Sequence, residues 1–155
     1  MTTGNHGVVA RWDVPLSLTK LVAIVDDEQD ITQLFQDALS RNIDGISVMS
    51  FNDPALALEH YKRNKKNYAL IISDMRMTRM NGLDLLKKAK ELNPKVRTIL
   101  ISAFDLQDNH DLQNYLKKGI IDSFIEKPIS LNRLCQKVKE EIHSEHRWFK
   151  QITIL

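Results

Sequence analysis

The sequence predicts a doubly wound α/β domain, in which helices cover both faces of a parallel sheet. From Lys20 onward, short apolar runs alternate with segments whose apolar residues recur with helical period. The run at 69–72 is apolar throughout, which is typical of a parallel strand buried on both faces. The length of 155 residues corresponds to about one domain, so a single sheet of this kind is expected.

Five apolar runs have the length of strands, and Val and Ile are frequent in them. In chain order they are Leu21–Val25, Ile46–Phe51, Ala69–Ser73, Val96–Ser102 and Ile120–Ile125. Because a helical segment separates each pair, we expect crossover connections between strands that run parallel.

Three of the intervening segments carry clear helix signals. The first has one continuous apolar stripe, made by Ile31, Leu34, Phe35, Ala38 and Leu39. The second, at about 53–64, opens with Asp53 as N-cap and Pro54 at the first helical position. The third, at about 83–92, stops before Pro94, because the residue preceding a proline disfavours the helical conformation.

The last two helical segments differ in strength. The fourth, at about 106–118, has a thinner apolar stripe and ends before Gly119, a residue suited to the position after a helix. The fifth starts at Ser130 and has an inward stripe of Leu131, Leu134, Cys135, Val138 and Ile142. These elements predict an arm at 1–19, a domain at 20–143 and a tail at 144–155 that continues the fifth helix.

The composition narrows the classes of function. The chain has 22 Lys and Arg against 20 Asp and Glu, and a net charge of +2 does not indicate nucleic acid or a membrane surface as the main partner. Cys135 is the single cysteine, which excludes an intramolecular disulfide. No apolar run is long enough to span a bilayer, and residues 1–19 lack the pattern of a secretory signal. We therefore expect a cytoplasmic protein.

Polar side chains stand at the ends of four predicted strands. Asp26 and Asp27 follow the first strand, Asp74 follows the third, Ser102 ends the fourth, and Lys127 follows the fifth. In doubly wound sheets the site lies at the carboxyl ends of the strands. If the strand order is 2-1-3-4-5, a spacing of ~4.8 Å between neighbours brings the three carboxylates together, with the hydroxyl and the lysine beside them.

This combination of groups predicts a phosphoryl-binding site. Three carboxylates at close range repel one another, and a lysine together with a divalent cation can offset that repulsion. Oxygen donors without His or Cys select a hard ion, and a small number of them favours Mg²⁺. Mg²⁺ and the lysine can neutralise a phosphoryl group, the hydroxyl can donate a hydrogen bond, and a carboxylate can act as nucleophile.

Four short motifs together resemble the receiver domain of two-component response regulators. They are Val25-Asp26-Asp27-Glu28, Ser73-Asp74-Met75-Arg76-Met77 with Gly82 beyond it, Ser102-Ala103, and Lys127-Pro128. Each stands in the right order at a predicted strand end, and the resemblance covers roughly residues 20–143. It implies a five-stranded sheet of flavodoxin-like order 2-1-3-4-5, with helices on both faces.

The resemblance also implies the roles of the acidic residues. Asp74 is the phosphoacceptor, which takes its phosphoryl group from a phosphohistidine on a sensor kinase. Mg²⁺ is the implied cofactor. Its implied ligands are Asp27 directly, Asp26 mainly through water, Asp74, and the backbone carbonyl of Arg76.

Three further residues receive roles from the same resemblance. Ser102 and Lys127 are expected to contact the acyl phosphate, and Ser102 and Phe124 are expected to act as the switch that reshapes the face of the fourth helix, fifth strand and fifth helix. One departure from the family pattern is Thr78, because a proline is common four residues after the phosphoacceptor.

The expected partners are proteins. A sensor histidine kinase or phosphotransfer protein would donate the phosphoryl group, and a downstream protein would receive the signal. Only about ten residues follow the fifth helix, so we expect a single-domain regulator that binds neither nucleic acid nor membrane directly. A homodimer, formed through the face of the fourth helix, fifth strand and fifth helix or through the apolar tail, is left open.

Two alternative functions also remain open at this point. One is a receiver-like docking module that works without phosphorylation. The other is a Mg²⁺-dependent phosphatase with Asp74 as nucleophile, which needs a second acid two residues further on. Because Arg76 occupies that position, general acid–base chemistry lacks its group, and we do not expect an enzyme.

Overall fold

Five parallel strands form a single sheet, and their order confirms the predicted fold. The structure is a computed structural model that describes residues 19–103 and 109–154, with side chains as far as His143. The strands are β1 (Lys20–Val25), β2 (Ile46–Phe51), β3 (Tyr68–Asp74), β4 (Arg97–Ser102) and β5 (Ser123–Glu126). They lie in the order β2-β1-β3-β4-β5, and every neighbouring pair is parallel.

Helices alternate with the strands along the chain. They are α1 (Gln29–Asn42), α2 (Pro54–Asn64), α3 (Gly82–Leu92), α4 (His110–Lys117) and α5 (Leu131–Ile154). In the described ranges, no helix combines the length and the apolar character needed to cross a bilayer. The predicted arm, apart from Thr19, and the side chains of the predicted tail lie outside the described residues.

Two apolar clusters lie on opposite faces of the sheet. Helices α2, α3 and α4 cover one face, where Tyr61, Leu86 and Leu112 are buried. Helices α1 and α5 cover the other face, where Leu39 and Val138 are buried. Every residue of β3 is buried, as the unbroken apolar run at its centre predicts for a strand between two helical layers.

Two local expectations need correction, and a third falls in part outside the described residues. Leu34 belongs to the apolar stripe predicted for α1, but 48% of its surface is exposed, and the buried residues of this helix are Thr32, Phe35, Ala38 and Leu39. The fifth strand begins at Ser123 and not at Ile120, because the N–H groups of Ile120 and Ile121 donate to the carbonyl oxygen of Tyr115 in α4 and not to the neighbouring strand. The described part of α4 begins at His110, and the predicted start at 106–108 lies outside the described residues.

Candidate functional site

The sheet register places the predicted site residues side by side at its carboxyl edge. Val25 at the end of β1 pairs with Ser73 of β3, so Asp26 and Asp74 are the next residues of adjacent strands. Ser102 ends the neighbouring strand β4. The exposed fractions of Asp26, Asp74 and Ser102 are 5%, 7% and 2%. Three polar residues are therefore buried together at one edge of the sheet.

Lys127 reaches the same place from β5. Its Nζ lies 2.7 Å from Oδ1 of Asp74, and its backbone N–H donates to the carbonyl oxygen of Ser102 at 2.8 Å. A cavity of about 170 Å³ opens beside this ion pair and is lined by Asp74, Met75, Arg76, Ser102, Ala103 and Lys127. Residues from three different strand ends thus face one small space.

The pKa of Asp26 is raised in this arrangement. Burial raises the pKa of its carboxyl group from the ordinary 3.8 to about 6. The hydrogen bond from the N–H of Glu28, 2.9 Å from Oδ1, and the charge of Lys127 lower this pKa, whereas the charge of Asp74 raises it. The site thus places two buried carboxylates, those of Asp26 and Asp74, beside one lysine.

The pKa of the Lys127 ammonium group is raised as well. Its burial lowers the pKa, but the hydrogen bond and charge of Asp74, with the charges of Asp26 and Glu28, outweigh burial and raise the pKa above its usual value. Lys127 therefore stays protonated beside the carboxylates. This residue supplies the fixed positive charge of the site.

Asp27 lies further out and contacts a different loop. Its side chain is exposed, and Oδ2 accepts a hydrogen bond from the backbone N–H of Thr78 at 3.3 Å. A proline at position 78 would have no N–H to donate. The departure from the family pattern at Thr78 thus gives this chain a contact between the β1–α1 and β3–α3 loops.

Gly82 lets the end of β3 approach the start of α3. Its N–H donates to the carbonyl oxygen of Met75 at 2.8 Å. A Cβ atom at position 82 would lie 2.3 Å from the carbonyl oxygen of Asp74, well inside the closest contact that real Cβ atoms make. Glycine is therefore required where the helix passes the site.

Phe124 lies half-buried on β5, where it packs against the apolar cluster beneath α3 and α4. It pairs with Leu100 of β4, two residues before Ser102. The two residues to which the sequence assigns a switch role are thus on adjacent strands, one at the cavity and the other on the face of the sheet.

The donor set fits a hard cation that keeps part of its water shell. In the part of the chain that the structure describes, no three His, Cys, Asp or Glu side chains form a ready-made metal cluster. The carboxylates at this edge are those of Asp26 and Asp74, which are buried, and of Asp27, which is exposed. A few oxygen donors with room for water are typical of Mg²⁺ and not of Ca²⁺ or Zn²⁺.

One residue at this edge escaped the sequence analysis. Asn52 directly follows β2, and its Nδ2 donates to the carbonyl oxygen of Asp26 at 2.8 Å. The end of β2 was the single predicted strand end to which no polar residue was assigned. Applying the strand-end rule there as well would have found Asn52.

The comparisons with known proteins agree on one family. The family model described as the response regulator receiver domain matches residues 22–139. The transcriptional regulatory protein ZraR of Klebsiella oxytoca is 31% identical over 121 residues, which are 78% of this chain and 26% of that protein. A protein-glutamate methylesterase/protein-glutamine glutaminase of Xanthomonas oryzae pv. oryzae (strain MAFF 311018) is 36% identical over 126 residues, or 80% of this chain and 34% of that protein.

A solved structure extends the likeness to the fold. A response regulator receiver domain protein from Clostridium thermocellum superimposes with a TM-score of 0.73 at 22% identity, covering 83% of this chain and 98% of that one. This likeness concerns the fold. The chain spans about a third or less of the length of the two curated relatives named above.

Proposed function

The chain belongs to the response regulator receiver family, and from this premise we propose that it is a phosphoaspartate switch of a two-component phosphorelay, with Asp74 as phosphoacceptor. The observation that carries the proposal is the ion pair between Asp74 and Lys127, 2.7 Å long, at the wall of a small cavity. A buried carboxylate beside a fixed cation and an open space has the surroundings that a phosphoryl acceptor needs.

The proposed step moves one phosphoryl group and needs no other reactant. A carboxylate oxygen of Asp74 attacks the phosphorus of a phosphohistidine, the P–N bond breaks, and the imidazole nitrogen keeps the electron pair. The product is an acyl phosphate on Asp74. Lys127 offsets the charge of the transferred group, and the hydroxyl of Ser102, which ends the adjacent strand, donates a hydrogen bond to it.

We propose Mg²⁺ as the cofactor of this step. Its ligands would be Asp27, Asp74 and the backbone carbonyl of Arg76, with Asp26 mainly through water. When bound, Mg²⁺ supplies positive charge that neutralises phosphoryl oxygens. Burial raises the pKa of the Asp26 carboxyl group, and the charge of Asp74 adds to this rise; because a divalent cation would favour the ionised carboxylates, this supports the assignment.

The output follows from the two proposed switch residues. A phosphoryl group on Asp74 would attract Ser102, and the ring of Phe124 would turn behind it, so that the face of α4, β5 and α5 changes shape. A sensor histidine kinase or phosphotransfer protein would act upstream and a protein target downstream. Dimerisation through this face or through the C-terminal tail remains part of the proposal.

The test is the intact mass of the protein after incubation with acetyl phosphate and Mg²⁺. We expect one phosphoryl adduct, absent with EDTA and absent in Asp74→Asn. Asp84→Asn is the matched control, because Asp84 is an exposed acid in the first turn of α3, and it should be phosphorylated like the wild type.

The alternatives give different results in the same assay. If no adduct forms although Mg²⁺ binds, the chain is a receiver-like docking module. If a generic phosphate ester such as p-nitrophenyl phosphate is turned over many times, the chain is a phosphatase, which Arg76 in place of a second acid argues against.

A further inference from the structure

We propose that Asn52 and Asp53, at the end of β2, are positioning residues for the phosphorylation site: Asn52 holds the β1–α1 loop and Asp53 holds the β3–α3 loop. We call this pair the Asn52–Asp53 bridge. It rests on the proposed function, because it assigns a role toward the same acids. Strand β2 supplies no residue to the described lining of the cavity, yet its end contacts both loops beside it.

Asn52 fixes the residue from which the acidic loop begins. Its Nδ2 donates to the carbonyl oxygen of Asp26 at 2.8 Å and to the hydroxyl oxygen of Thr32 at 3.0 Å. The Thr32 side chain is 2% exposed, and its hydroxyl donates to the carbonyl oxygen of Gln29 at 3.0 Å. Because Asp26 also donates its N–H to Phe51 at 3.1 Å, β2 holds both sides of its backbone.

Asp53 uses its two carboxylate oxygens for two different elements. Oδ1 accepts from the N–H of Ala55 at 2.9 Å and caps α2. Oδ2 lies 3.0 Å from Nη1 of Arg79, which belongs to the β3–α3 loop. In the sheet, β1 lies between β2 and β3, so this ion pair spans the end of β1, where Asp26 and Asp27 follow.

Arg79 occupies a backbone conformation that needs such support. Its φ is +73°, and the N–H of Met80 donates to the carbonyl oxygen of Thr78 at 2.9 Å, which is the pattern of the strained, left-handed γ-turn. A non-glycine residue in this region is strained, and it stays there only where its surroundings hold it. The turn positions Thr78 so that its N–H donates a hydrogen bond to Oδ2 of Asp27.

The two contacts of the bridge therefore act on two different acids. Asn52 fixes the backbone of Asp26, and Asp53, through Arg79, fixes the loop whose N–H contacts Asp27. Such outer partners orient the groups that bind a metal ion and alter its affinity. Neither Asn52 nor Asp53 needs to touch the ion or the phosphoryl group to do so.

The experiment compares two bridge variants with two matched controls. Asn52→Ala removes both Nδ2 contacts, and Asp53→Asn removes the charge while keeping an oxygen that can cap α2. Asn42→Ala is the control for the first, because Nδ2 of exposed Asn42 also donates to a backbone carbonyl, that of Ala38. Glu59→Gln is the control for the second, because it removes the exposed ion pair with Arg63.

Three quantities are measured on each variant of the 155-residue chain: the Mg²⁺ dissociation constant by calorimetry, the hydrogen exchange of individual amides by NMR, and the melting temperature. We expect Asn52→Ala to weaken Mg²⁺ binding about tenfold and Asp53→Asn about two- to threefold, the size expected for an exposed ion pair. The amide protons of Glu28 and Thr78, which contact the two acids, should exchange faster in Asn52→Ala and Asp53→Asn respectively.

The outcomes separate this proposal from the proposed function. Bridge variants that match their controls in Mg²⁺ affinity and amide exchange overturn the positioning role, as does a lower melting temperature with unchanged affinity, which indicates a purely structural role. A wild type that binds no Mg²⁺ overturns it too. A wild type that binds Mg²⁺ but gains no phosphoryl group from acetyl phosphate contradicts only the proposed function, and the Mg²⁺ affinities still decide the role of the bridge.

Discussion

Strand β4 runs between two groups of charged side chains, one near each of its ends, and most of these side chains are partly or fully buried. The amino-end cluster consists of Lys90, Arg97, Asp122 and Glu141. Lys90 and Arg97 lie 2.8 and 3.3 Å from carboxylate oxygens of Asp122, and Arg97 also lies 2.7 Å from Glu141. The carboxyl-end cluster consists of Asp26, Asp74 and Lys127, next to Ser102 at the end of the strand.

The two clusters differ in charge balance. The amino-end cluster has two cations for two anions, and Glu141 also accepts from the hydroxyl of Ser123, so its charges are paired within the protein. The carboxyl-end cluster has one cation for two buried anions, and the pKa of Asp26 is raised to about 6. Buried charges that are paired within the protein hold its elements in one arrangement, whereas a buried cluster with more anions than cations favours the binding of a cation.

The largest effect on the free energy of unfolding is expected from removing one cation of the amino-end cluster. Arg97→Met leaves Glu141 without its main cation and Asp122 with Lys90 alone, so the free energy of unfolding should fall by about 3 kcal/mol. Urea unfolding measures this change. The fraction of folded protein that acetyl phosphate modifies should stay as in the wild type.

An exposed arginine on the same helix as Glu141 supplies the control for this prediction. Arg133→Met removes a surface charge on α5 and should change the free energy of unfolding by less than about 0.5 kcal/mol. Equal effects of the two substitutions would mean that the amino-end cluster contributes nothing beyond surface charge.

Removing a charge from the carboxyl-end cluster is expected to raise the free energy of unfolding. Because the folded-state pKa of Asp26 is raised from 3.8 to about 6, its ionised form destabilises the metal-free protein. The penalty is absent below pH 4, grows between pH 4 and 6, and is complete above pH 6. Asp26→Asn should therefore raise the free energy of unfolding by about 2–3 kcal/mol at pH 7.5 in EDTA, and by little at pH 4.

Urea unfolding of Asp26→Asn and the wild type across this pH range tests the sign. Asp30→Asn, at an exposed acid in the first turn of α1, is the control and should show no comparable gain between pH 4 and 7.5. A wild type as stable as Asp26→Asn at pH 7.5 would show that the buried carboxylate is already compensated.

Gly82→Ala should disturb the carboxyl-end cluster by displacing backbone atoms, without changing a charge. The new methyl group would meet the carbonyl oxygen of Asp74 at 2.3 Å and Cδ1 of Leu100 at 2.8 Å, so the strand end or the helix must move. We expect a loss of about 2 kcal/mol in the free energy of unfolding and slower modification of the folded protein by acetyl phosphate.

Gly45→Ala separates these two effects. Gly45 has a φ of +81° and no atom within 4 Å of a Cβ at that position, so alanine there strains the backbone without crowding the site. It should cost about 1 kcal/mol and leave the modification rate of folded protein unchanged. An unchanged rate in Gly82→Ala as well would mean that Asp74 tolerates the displacement.

The carboxyl-end cluster could be predicted from the sequence to a large extent, and the amino-end cluster could not. Apolar runs fix where strands end, so Asp74 and Lys127 were found by position alone. Lys90, Arg97 and Glu141 lie on helix or strand positions where charged residues are usually solvated, and their ion-pair partners are 25 to 44 residues away along the chain. A pairing of that kind depends on how α3 and α5 pack, which a local pattern does not contain.

The loops show the same limit on a smaller scale. The capping role of Asp53 was predicted from Asp53-Pro54, and the structure has it. The ion pair between Asp53 and Arg79 was not predicted. It depends on the turn at Arg79, where φ is positive, and on the position of β1 between β2 and β3. Short-range signals thus place residues at the site, and topology decides which of them meet.

The last prediction concerns the ligand that the carboxyl-end cluster is proposed to bind. Mg²⁺ at ten times its dissociation constant should raise the free energy of unfolding of the wild type by about 1.4 kcal/mol, because it binds the folded state alone. Arg97→Met should keep this increment although it is less stable, since its cluster lies at the other end of β4. Asp26→Asn should lose most of it. If both variants lost the increment equally, the two charge clusters would not be independent, and the surplus charge at Asp26 would not be what Mg²⁺ offsets.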